Sequence, residues 1–374
     1  YGRFVMKLYY KFLMKQKQII FSLILFIFLI FSCFISAHFV MKSYYAKKEK
    51  YLFQNYDQLN FYAKYLDKLH HLRGPDPGNK TYTEVHQFLF NYLNKDTSKT
   101  TVLIQGDSRS HGLNSEEALQ ALSDIGFINK FNIINAGTTS YSISPMLVQL
   151  DILKNDFKIE PEILVSFVDP TDIGDDVCRY KDLLKYDNNG KIVSLSREPN
   201  NGNIYWYDYT LLGSKINLYE GFKSRYLLDL LDYIITDRIF QGEKTCGFGE
   251  IQKPLINQIE ESNVYFKKLI VEYIEKAFSS NKLKKLYFVT YPHVQHYSDK
   301  AYGVKYQTKI SDLVNEVIAE NNLKNKIYHI NLYDNDIFPE MNNNFFEYFI
   351  EGDHGSHLTK KGKYIFINYI FSKI

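Results

Sequence analysis

Residues 102–108 read Val-Leu-Ile-Gln-Gly-Asp-Ser, an unbroken apolar run that passes into a glycine and two polar residues. Apolar runs without alternation are typical of strands buried on both faces of a parallel sheet. Besides Val102–Gln105, such runs occur at Phe131–Asn135, Ile163–Val168, Leu286–Thr290 and Ile327–Leu332. Segments of helical period accompany them at 115–125, 145–156, 257–279, 306–322 and 359–373. This alternation predicts an α/β protein, a three-layer α/β/α sandwich around a five-stranded parallel sheet.

Polar residues follow the carboxyl ends of these strands, where open parallel sheets bind ligands. The first three strands lead into Gly106-Asp107-Ser108-Arg109, Ala136-Gly137 and Asp169-Pro170-Thr171-Asp172. A loop with His293 follows the fourth strand, and the run Asp353-His354-Gly355-Ser356-His357 comes after the fifth. We therefore expect these side chains to share one site.

Ser108 stands where a strand passes into a helix, beside backbone N–H groups that have no acceptor within the helix. Such a serine can attack an acyl carbon when a base removes its proton. His357, with Asp353 just upstream, supplies that base by the logic of a Ser-His-Asp triad. The N–H groups of Ser108 and Gly137 are predicted to bind the oxyanion. An ordinary helix entry capped by Asp107 or Ser108 is the structural alternative.

Three motifs resemble those of the SGNH/GDSL hydrolases. Residues 102–108 resemble the block that carries the nucleophile of that family, and residues 135–137, Asn-Ala-Gly, resemble the block with the oxyanion glycine. His357 and Gly362 match the last block, in which a glycine follows the histidine by five residues. The resemblance covers about residues 100–180 and 280–374. It implies a flavodoxin-like SGNH fold and a serine esterase mechanism, with neither a metal nor an organic cofactor.

The sequence departs from the family pattern at two places. The third block is usually Gly-x-Asn-Asp, but residues 169–172 read Asp-Pro-Thr-Asp, so Thr171 stands where the family has an oxyanion-binding asparagine. Its hydroxyl is predicted to donate to the oxyanion, with backbone N–H groups alone as the alternative. His354 stands three residues before His357, where the family has its acid, and Asp353 stands four before. A Ser-His dyad held by another acceptor is the alternative to the triad.

Four further residues are candidates for contact with substrate: Arg109, Asp172, His293 and His354. Arg109 adjoins the nucleophile, where it can bind an anionic group or form a structural salt bridge. Asp172 is grouped with Asp175 and Asp176, a pattern more typical of a solvated loop than of a metal site. A histidine such as His293, on the loop after the fourth strand, is more often a partly exposed loop residue. The ring of His354 is expected to point to solvent or to substrate.

The amino-terminal region contains an apolar run at residues 19–40 without Lys, Arg, Asp or Glu. A helix of about 22 residues covers roughly 33 Å, the thickness of a bilayer's hydrocarbon core. We expect an uncleaved transmembrane anchor, with a signal peptide as the alternative. Flanking positive charges favour cytoplasmic residues 1–18 and a single-pass inner-membrane protein whose catalytic domain is periplasmic. Residues 41–98 are predicted to be a stalk or linker, and 99–374 the hydrolase-like domain with an insertion at about 178–253.

Charge and cysteine content exclude other classes of function. The net charge is +3, without Lys/Arg blocks interleaved with aromatics, which argues against a nucleic-acid partner. Of three cysteines, Cys33 lies in the apolar run, and Cys178 and Cys246 have no metal-binding spacing. The latter two either pair in an oxidising compartment or are separate buried thiols.

Together with the predicted location outside the cytoplasm, the resemblance to the SGNH/GDSL hydrolases implies a serine hydrolase that removes acetyl or other acyl groups from cell-envelope glycans. An acylated glycan or small ester is the expected substrate, and the membrane is reached through the amino-terminal helix. A glycan O-acetyltransferase with the same triad is one alternative. A non-catalytic glycan-binding or assembly protein of the same fold is another.

Overall fold

The computed structural model describes residues 14–33, 35–36, six positions between 61 and 72, and residues 85–195, 260–298, 308–334, 337–353 and 357–374. The chain divides into two units. Helix α1, Met14–Cys33, belongs to the first, and all described residues from Phe61 onwards belong to the second. Trp206, Cys246, His354 and most of the predicted insertion lie outside the described residues.

A six-stranded sheet forms the centre of the second unit. Its strands are β1 (Asn91–Asn94), β2 (Thr100–Gln105), β3 (Phe131–Asn135), β4 (Ile163–Val168), β7 (Lys285–Thr290) and β8 (Ile327–Asn331), in the spatial order β1-β3-β2-β4-β7-β8. The five strands from β2 to β8 run parallel, and β1 pairs antiparallel with β3. Strand β4 is buried along its whole length, as its continuous apolar sequence requires.

Helices cover both faces of this sheet. On one face lie α3 (Glu116–Asp124) and α7 (Lys360–Ser372), which share a hydrophobic core with β2, β3 and β4. On the other lie α4 (Ile143–Phe157) and α5 (Glu260–Phe278), joined to the sheet by hydrogen bonds such as that between Ser166 Oγ and Tyr273 OH at 2.7 Å. Helix α6 (Thr308–Glu320) is linked to β8 through Asn315 and His329, whose Oδ1 and Nδ1 are 2.7 Å apart. The described part of this unit is therefore a three-layer α/β/α arrangement.

Short helices complete the connections. Helix α2, a single turn, spans Ser108–His111. Further single-turn helices lie at Phe127–Lys130, Asp172–Gly174, Gln295–Ser298 and Met341–Asn344. A π-helical turn spans Asp175–Tyr180, and 3-10 turns lie at Val85–Phe88, Gly112–Asn114, Lys181–Leu183, Lys324–Lys326 and Phe345–Glu347.

The sheet corrects two predictions. The prediction of five parallel strands lacked the antiparallel strand β1. Residues Asn91–Asn94, which we assigned to a stalk, form that edge strand, and the neighbouring Phe88, Leu89 and Phe90 are buried. The stalk predicted for residues 41–98 therefore extends too far along the chain, because it includes this strand. The reason is that a four-residue strand of half-buried polar and aromatic residues carries no strong periodic signal.

A small hairpin lies within the predicted insertion. Strands β5 (Leu184–Tyr186) and β6 (Ile192–Leu195) pair antiparallel around the turn Asp187-Asn188-Asn189-Gly190. The end of β6 bridges Leu69, which is fully buried. Cys178, just before this hairpin, is disulfide-bonded. Its pairing with Cys246 stays a prediction, because Cys246 lies outside the described residues.

Helix α1 is long and apolar enough to cross a membrane, and among the described residues it alone is so. It begins five residues before the predicted span at 19, and residues 37–40 of that span lie outside the described residues. An apolar helix near the amino terminus suits a membrane span or a signal sequence alike.

Candidate active site

Ser108 is the first residue of α2, directly beyond the carboxyl end of β2. Asp107 caps this helix, because its Oδ1 accepts the Arg109 N–H at 3.0 Å. The N–H of Ser108, as the first of the helix, has no intrahelical acceptor. The predicted turn thus presents a serine hydroxyl and a backbone donor at the same edge of the sheet.

His357 and Asp353 meet Ser108 in one chain of hydrogen bonds. His357 Nε2 lies 2.8 Å from Ser108 Oγ, and His357 Nδ1 lies 2.6 Å from Asp353 Oδ2. Since Asp353 accepts at Nδ1, that nitrogen carries the proton and Nε2 accepts from the serine hydroxyl. The same carboxylate oxygen accepts the His357 N–H at 2.8 Å, which accounts for an acid four residues before the histidine.

The chain around His357 is held by the start of α7. Thr359 caps this helix, accepting the Gly362 N–H at 3.2 Å and donating its hydroxyl to the carbonyl of Glu347 at 2.6 Å. A Cβ on Gly362 would lie 2.1 Å from the carbonyl oxygen of Tyr348, so the helix can approach this closely only with glycine. The glycine of the last motif thus positions the histidine loop.

The predicted oxyanion donors Gly137 and Thr171 are both engaged. The Gly137 N–H donates to Asn135 Oδ1 at 2.8 Å, and Asn135 Nδ2 donates to the Ser110 carbonyl at 2.9 Å. The Thr171 hydroxyl donates to Asp169 Oδ1 at 2.6 Å, so its single proton is committed there. Neither group presents an unshared donor to the site in this structure.

Arg109 faces inward, against aromatic rings. Its guanidinium carbon lies 4.2 Å from the ring centroid of Tyr291 and 5.7 Å from that of Phe349. Its Nη1 donates to the carbonyl of Pro292 at 3.0 Å. These contacts connect the nucleophile helix to the loop after β7, and Arg109 also borders a cavity beside Ser108. Its contact with substrate stays a prediction.

His293 and Asp169 form a buried pair behind the nucleophile. His293 Nε2 lies 3.0 Å from Asp169 Oδ2, and both side chains are almost fully buried. Burial alone would raise the pKa of Asp169, but the charge and hydrogen bond of His293 hold this pKa below its usual range. Burial and the nearby Asp169 carboxylate raise the pKa of Asp107. His293 therefore serves as a buried partner of Asp169 in this structure, not as an exposed pocket residue.

The acids Asp172, Asp175 and Asp176 are buried, with exposures of 1%, 5% and 0%. We predicted a solvated loop, and this prediction is wrong. Burial and neighbouring carboxylates raise the pKa of Asp172 well above its usual range. Among the described residues, no group of three or more His, Cys, Asp or Glu side chains is arranged to hold a metal. Asp172 therefore lies within the protein interior, not at an exposed substrate surface.

Sequence reasoning missed an apolar cavity next to the nucleophile. Its volume is about 170 Å³. Ser108, Arg109, His357 and Lys363 border it with polar or charged groups, and most of the remaining lining consists of apolar side chains, including those of α3 and α7. Those side chains follow the ordinary periodicity of core-facing helix residues, so no sequence signal separates a cavity wall from a filled core. His354, also predicted as a substrate contact, lies outside the described residues.

Comparisons with known proteins found structural likenesses only. No protein-family model matches the sequence, and no curated protein matches it. A catalytic mutant of Axe2, an acetylxylan esterase from Geobacillus stearothermophilus, is 9% identical with a TM-score of 0.38, covering 75% of this chain and 95% of its own. The lipase Lip_vut3 from a goat rumen metagenome is 11% identical with a TM-score of 0.37, covering 73% and 97%. Likenesses of this extent do not decide the chemistry of this chain.

Proposed function

We propose that this chain is a serine hydrolase of ester bonds that works through an acyl-serine intermediate on Ser108. The observation that carries the proposal is the chain of hydrogen bonds from Ser108 Oγ to His357 Nε2 at 2.8 Å and from His357 Nδ1 to Asp353 at 2.6 Å. Both distances fall within the range for a nucleophile, its base and the group that orients the base. A capped helix entry alone would not bring a histidine from 249 residues away onto the serine hydroxyl.

The proposed reaction has two halves. As Ser108 Oγ forms a bond to the ester carbonyl carbon, its proton passes to His357 Nε2, and His357 then protonates the leaving alcohol as the ester C–O bond breaks. In the second half, water attacks the acyl carbon of the acyl-serine and gives a proton to His357 Nε2. His357 returns this proton to Ser108 Oγ as the bond between the acyl carbon and Oγ breaks, which releases the carboxylic acid and the free serine. Asp353 stabilises the imidazolium in both halves. The His357 side chain is 43% exposed, which gives water and the alcohol access to it.

The oxyanion is proposed to bind first at the N–H of Ser108, at the positive end of α2. The Gly137 N–H can contribute a second hydrogen bond by sharing its proton between Asn135 and the oxyanion. Thr171 is a weaker candidate than the sequence suggested, because donation to the oxyanion would require its hydroxyl to leave Asp169. Backbone donors are therefore the proposed basis of the oxyanion hole.

The family, the location and the natural substrate of this protein are proposed from its sequence. The three motifs support membership of the SGNH/GDSL type, and α1 supports a membrane anchor with the second unit in the periplasm. An acylated envelope glycan is the proposed natural substrate, by analogy with the family. A sugar hydroxyl in place of water would turn the same residues into an acyltransferase.

A fluorophosphonate probe tests the nucleophile directly. Purified protein should become covalently labelled at Ser108, and Ser108→Ala should abolish the labelling. Ser110→Ala, which changes a buried serine two residues away, is the matched control and should still be labelled. A folded wild-type protein that takes up no label would contradict the proposal.

A further inference from the structure

The cavity beside Ser108 penetrates the layer between α3 and α7. Its apolar wall is formed by Leu113, Ala118, Phe167, Phe366, Ile367 and Ile370. All six side chains belong to the hydrophobic core on this face of the sheet, and each is at most 5% exposed. The cavity is thus a space within the core that reaches the hydroxyl of the proposed nucleophile.

The size and lining of the cavity indicate what can fill it. An apolar protein cavity of about 150 Å³, lined by similar side chains, stays dry and admits benzene. At about 170 Å³ this cavity holds a chain of comparable size, roughly six carbon atoms. An acetyl group would leave most of it empty, and a sugar ring placed against the six apolar side chains of this wall would lose hydrogen bonds to water.

The two ends of an ester meet different surroundings at Ser108. The alcohol must receive a proton from His357 and leave, and the His357 side chain is 43% exposed on that side. The acyl group stays bonded to the serine until water attacks, so it can occupy an enclosed space without blocking departure of the alcohol. The cavity between α3 and α7 therefore suits the acyl part of the substrate.

We propose that this cavity is an acyl-binding pocket selecting straight chains of about four to eight carbons in preference to acetyl. This inference rests on the proposed ester hydrolysis and names the acyl class for that site. Its walls strengthen binding by removing methylene groups of the acyl chain from water. Each methylene buried raises the association constant about fourfold. The optimum follows from the volume of the cavity, because a chain too large for this volume must leave its end in solvent.

The test is a chain-length series of p-nitrophenyl esters, from acetate through hexanoate to laurate, hydrolysed by the full-length protein. Each kcat/KM is divided by the rate of alkaline hydrolysis of the same ester, which removes differences in intrinsic reactivity. We expect hexanoate to exceed acetate by at least about tenfold, and laurate to fall below the optimum.

Two variants with opposite effects assign this preference to the cavity. Ala118→Leu adds three carbon atoms to the wall and should lower the ratio of hexanoate to acetate several-fold. Ile370→Ala enlarges the cavity and should move the optimum to longer chains. Ser123→Leu adds the same apolar bulk at an exposed position of α3 and should keep the wild-type profile. Far-UV circular dichroism and active-serine titration verify that each variant is folded before its profile is compared.

The results of these experiments separate failure of the acyl pocket from failure of the proposed ester hydrolysis. If Ser108-dependent hydrolysis is observed but acetate is the best substrate, the acyl pocket is wrong and the esterase proposal stands. An unchanged profile in folded Ala118→Leu and Ile370→Ala protein would likewise overturn the pocket. If neither hydrolysis nor labelling of Ser108 occurs, the proposed function fails and the pocket fails with it.

Discussion

Asp353 performs two tasks with one oxygen atom. Its Oδ2 accepts both the Nδ1–H and the backbone N–H of His357, at 2.6 and 2.8 Å. The first bond sets the tautomer of the ring, and the second fixes the loop that carries it. The four-residue spacing, which departs from the usual family pattern, therefore still gives the geometry of an orienting acid.

Asp353→Asn tests this role. The asparagine amide can donate to Nδ1, which would place the imidazole proton on Nε2 and prevent it from accepting the proton of Ser108. We expect kcat for p-nitrophenyl ester hydrolysis to fall by about 10³–10⁴-fold, as loss of the correct tautomer does in triad enzymes. His357→Ala should lose at least as much.

Glu351→Gln, an exposed amide substitution in the same loop, is the control for Asp353→Asn and should retain wild-type turnover. Circular dichroism should show equal folding of the three variants. Near-normal kcat for Asp353→Asn would assign the orienting role to another group.

At the scale of single elements, α7 links the core to the chemistry. Its capping residue Thr359 follows His357 by two positions and is bonded through N–H and hydroxyl to the carbonyls of Tyr348 and Glu347. Movement of this helix start therefore displaces the base from the nucleophile.

Gly362→Ala should produce such a displacement. The added Cβ would lie 2.1 Å from the Tyr348 carbonyl oxygen, and this contact is with backbone that cannot rotate away. We expect a loss of about 1–3 kcal/mol in the free energy of unfolding and a fall in kcat of at least about tenfold. Urea denaturation and steady-state kinetics measure the two effects.

Gly112→Ala is the matched control, because its Cβ would meet no atom closer than 4.0 Å. It should keep the wild-type free energy of unfolding within about 0.5 kcal/mol. Equal stability and turnover of the Gly362 and Gly112 variants would show that the close approach of α7 to Tyr348 is unimportant.

The start of α4 depends on a buried acid. Asp176 Oδ1 accepts the Ser142 hydroxyl at 2.7 Å and the Ser144 N–H at 3.1 Å, and no described residue bonds its Oδ2. Burial raises the pKa of Asp176 to about 6, against these hydrogen bonds, which lower it. The folded protein thus holds this proton more tightly than the unfolded chain does.

This difference predicts a pH dependence of stability. A carboxyl whose pKa is raised on folding stabilises the fold at low pH, and the contribution is lost as the pH rises through about 6. Asp176→Asn keeps an acceptor at Oδ1 but cannot ionise. Between pH 4 and pH 7, the free energy of unfolding of the wild type should fall by about 2 kcal/mol relative to this variant.

Urea denaturation at the two pH values measures that difference. Asp182→Asn, at an exposed position, is the control and should follow the wild type. If wild type and Asp176→Asn show the same pH dependence, Asp176 does not hold a proton in the folded protein.

At the scale of the whole molecule, α1 and the second unit differ in how far their apolar side chains are exposed. The second unit has its own hydrophobic core, whereas the apolar side chains of α1 are exposed. Burying about 20 such residues in a bilayer removes that apolar surface from water. The exposed apolar surface of α1 is compatible with a membrane span and with a signal sequence.

Cell fractionation tests the anchor. The full-length protein should sediment with membranes, resist extraction by carbonate and dissolve in detergent, and protease added outside the inner membrane should cut the second unit. A variant lacking residues 1–40 is the control and should be recovered in the soluble fraction. Full-length protein in that fraction, or complete protection from protease, would contradict the anchor or its orientation.

The sequence alone predicted the five parallel strands and the residues that meet at their carboxyl ends. Each strand is a continuous apolar run, so its position depends on local pattern and not on its neighbours. Ser108, Asp353 and His357 were predicted from the ends of the strands together with the resemblance of their motifs to those of the SGNH/GDSL hydrolases, and their roles stay predictions. Strand β1, with four residues of intermediate burial, has no such pattern and is defined by its pairing with β3.

Only the tertiary structure decided what surrounds the nucleophile. Three features of the site depend on segments far apart in the chain or on loop geometry that no periodicity encodes. They are the burial of Asp172, Asp175 and Asp176, the stacking of Arg109 on Tyr291 and the hydrogen bond from Thr171 to Asp169. The cavity is the clearest case, because its walls come from α3, α7, β4 and the turn at Gly112–Asn114. A core-facing helix residue has the same sequence pattern whether the space beside it is filled or open. The reason is that packing depends on two facing surfaces together, and the sequence of one segment does not contain it.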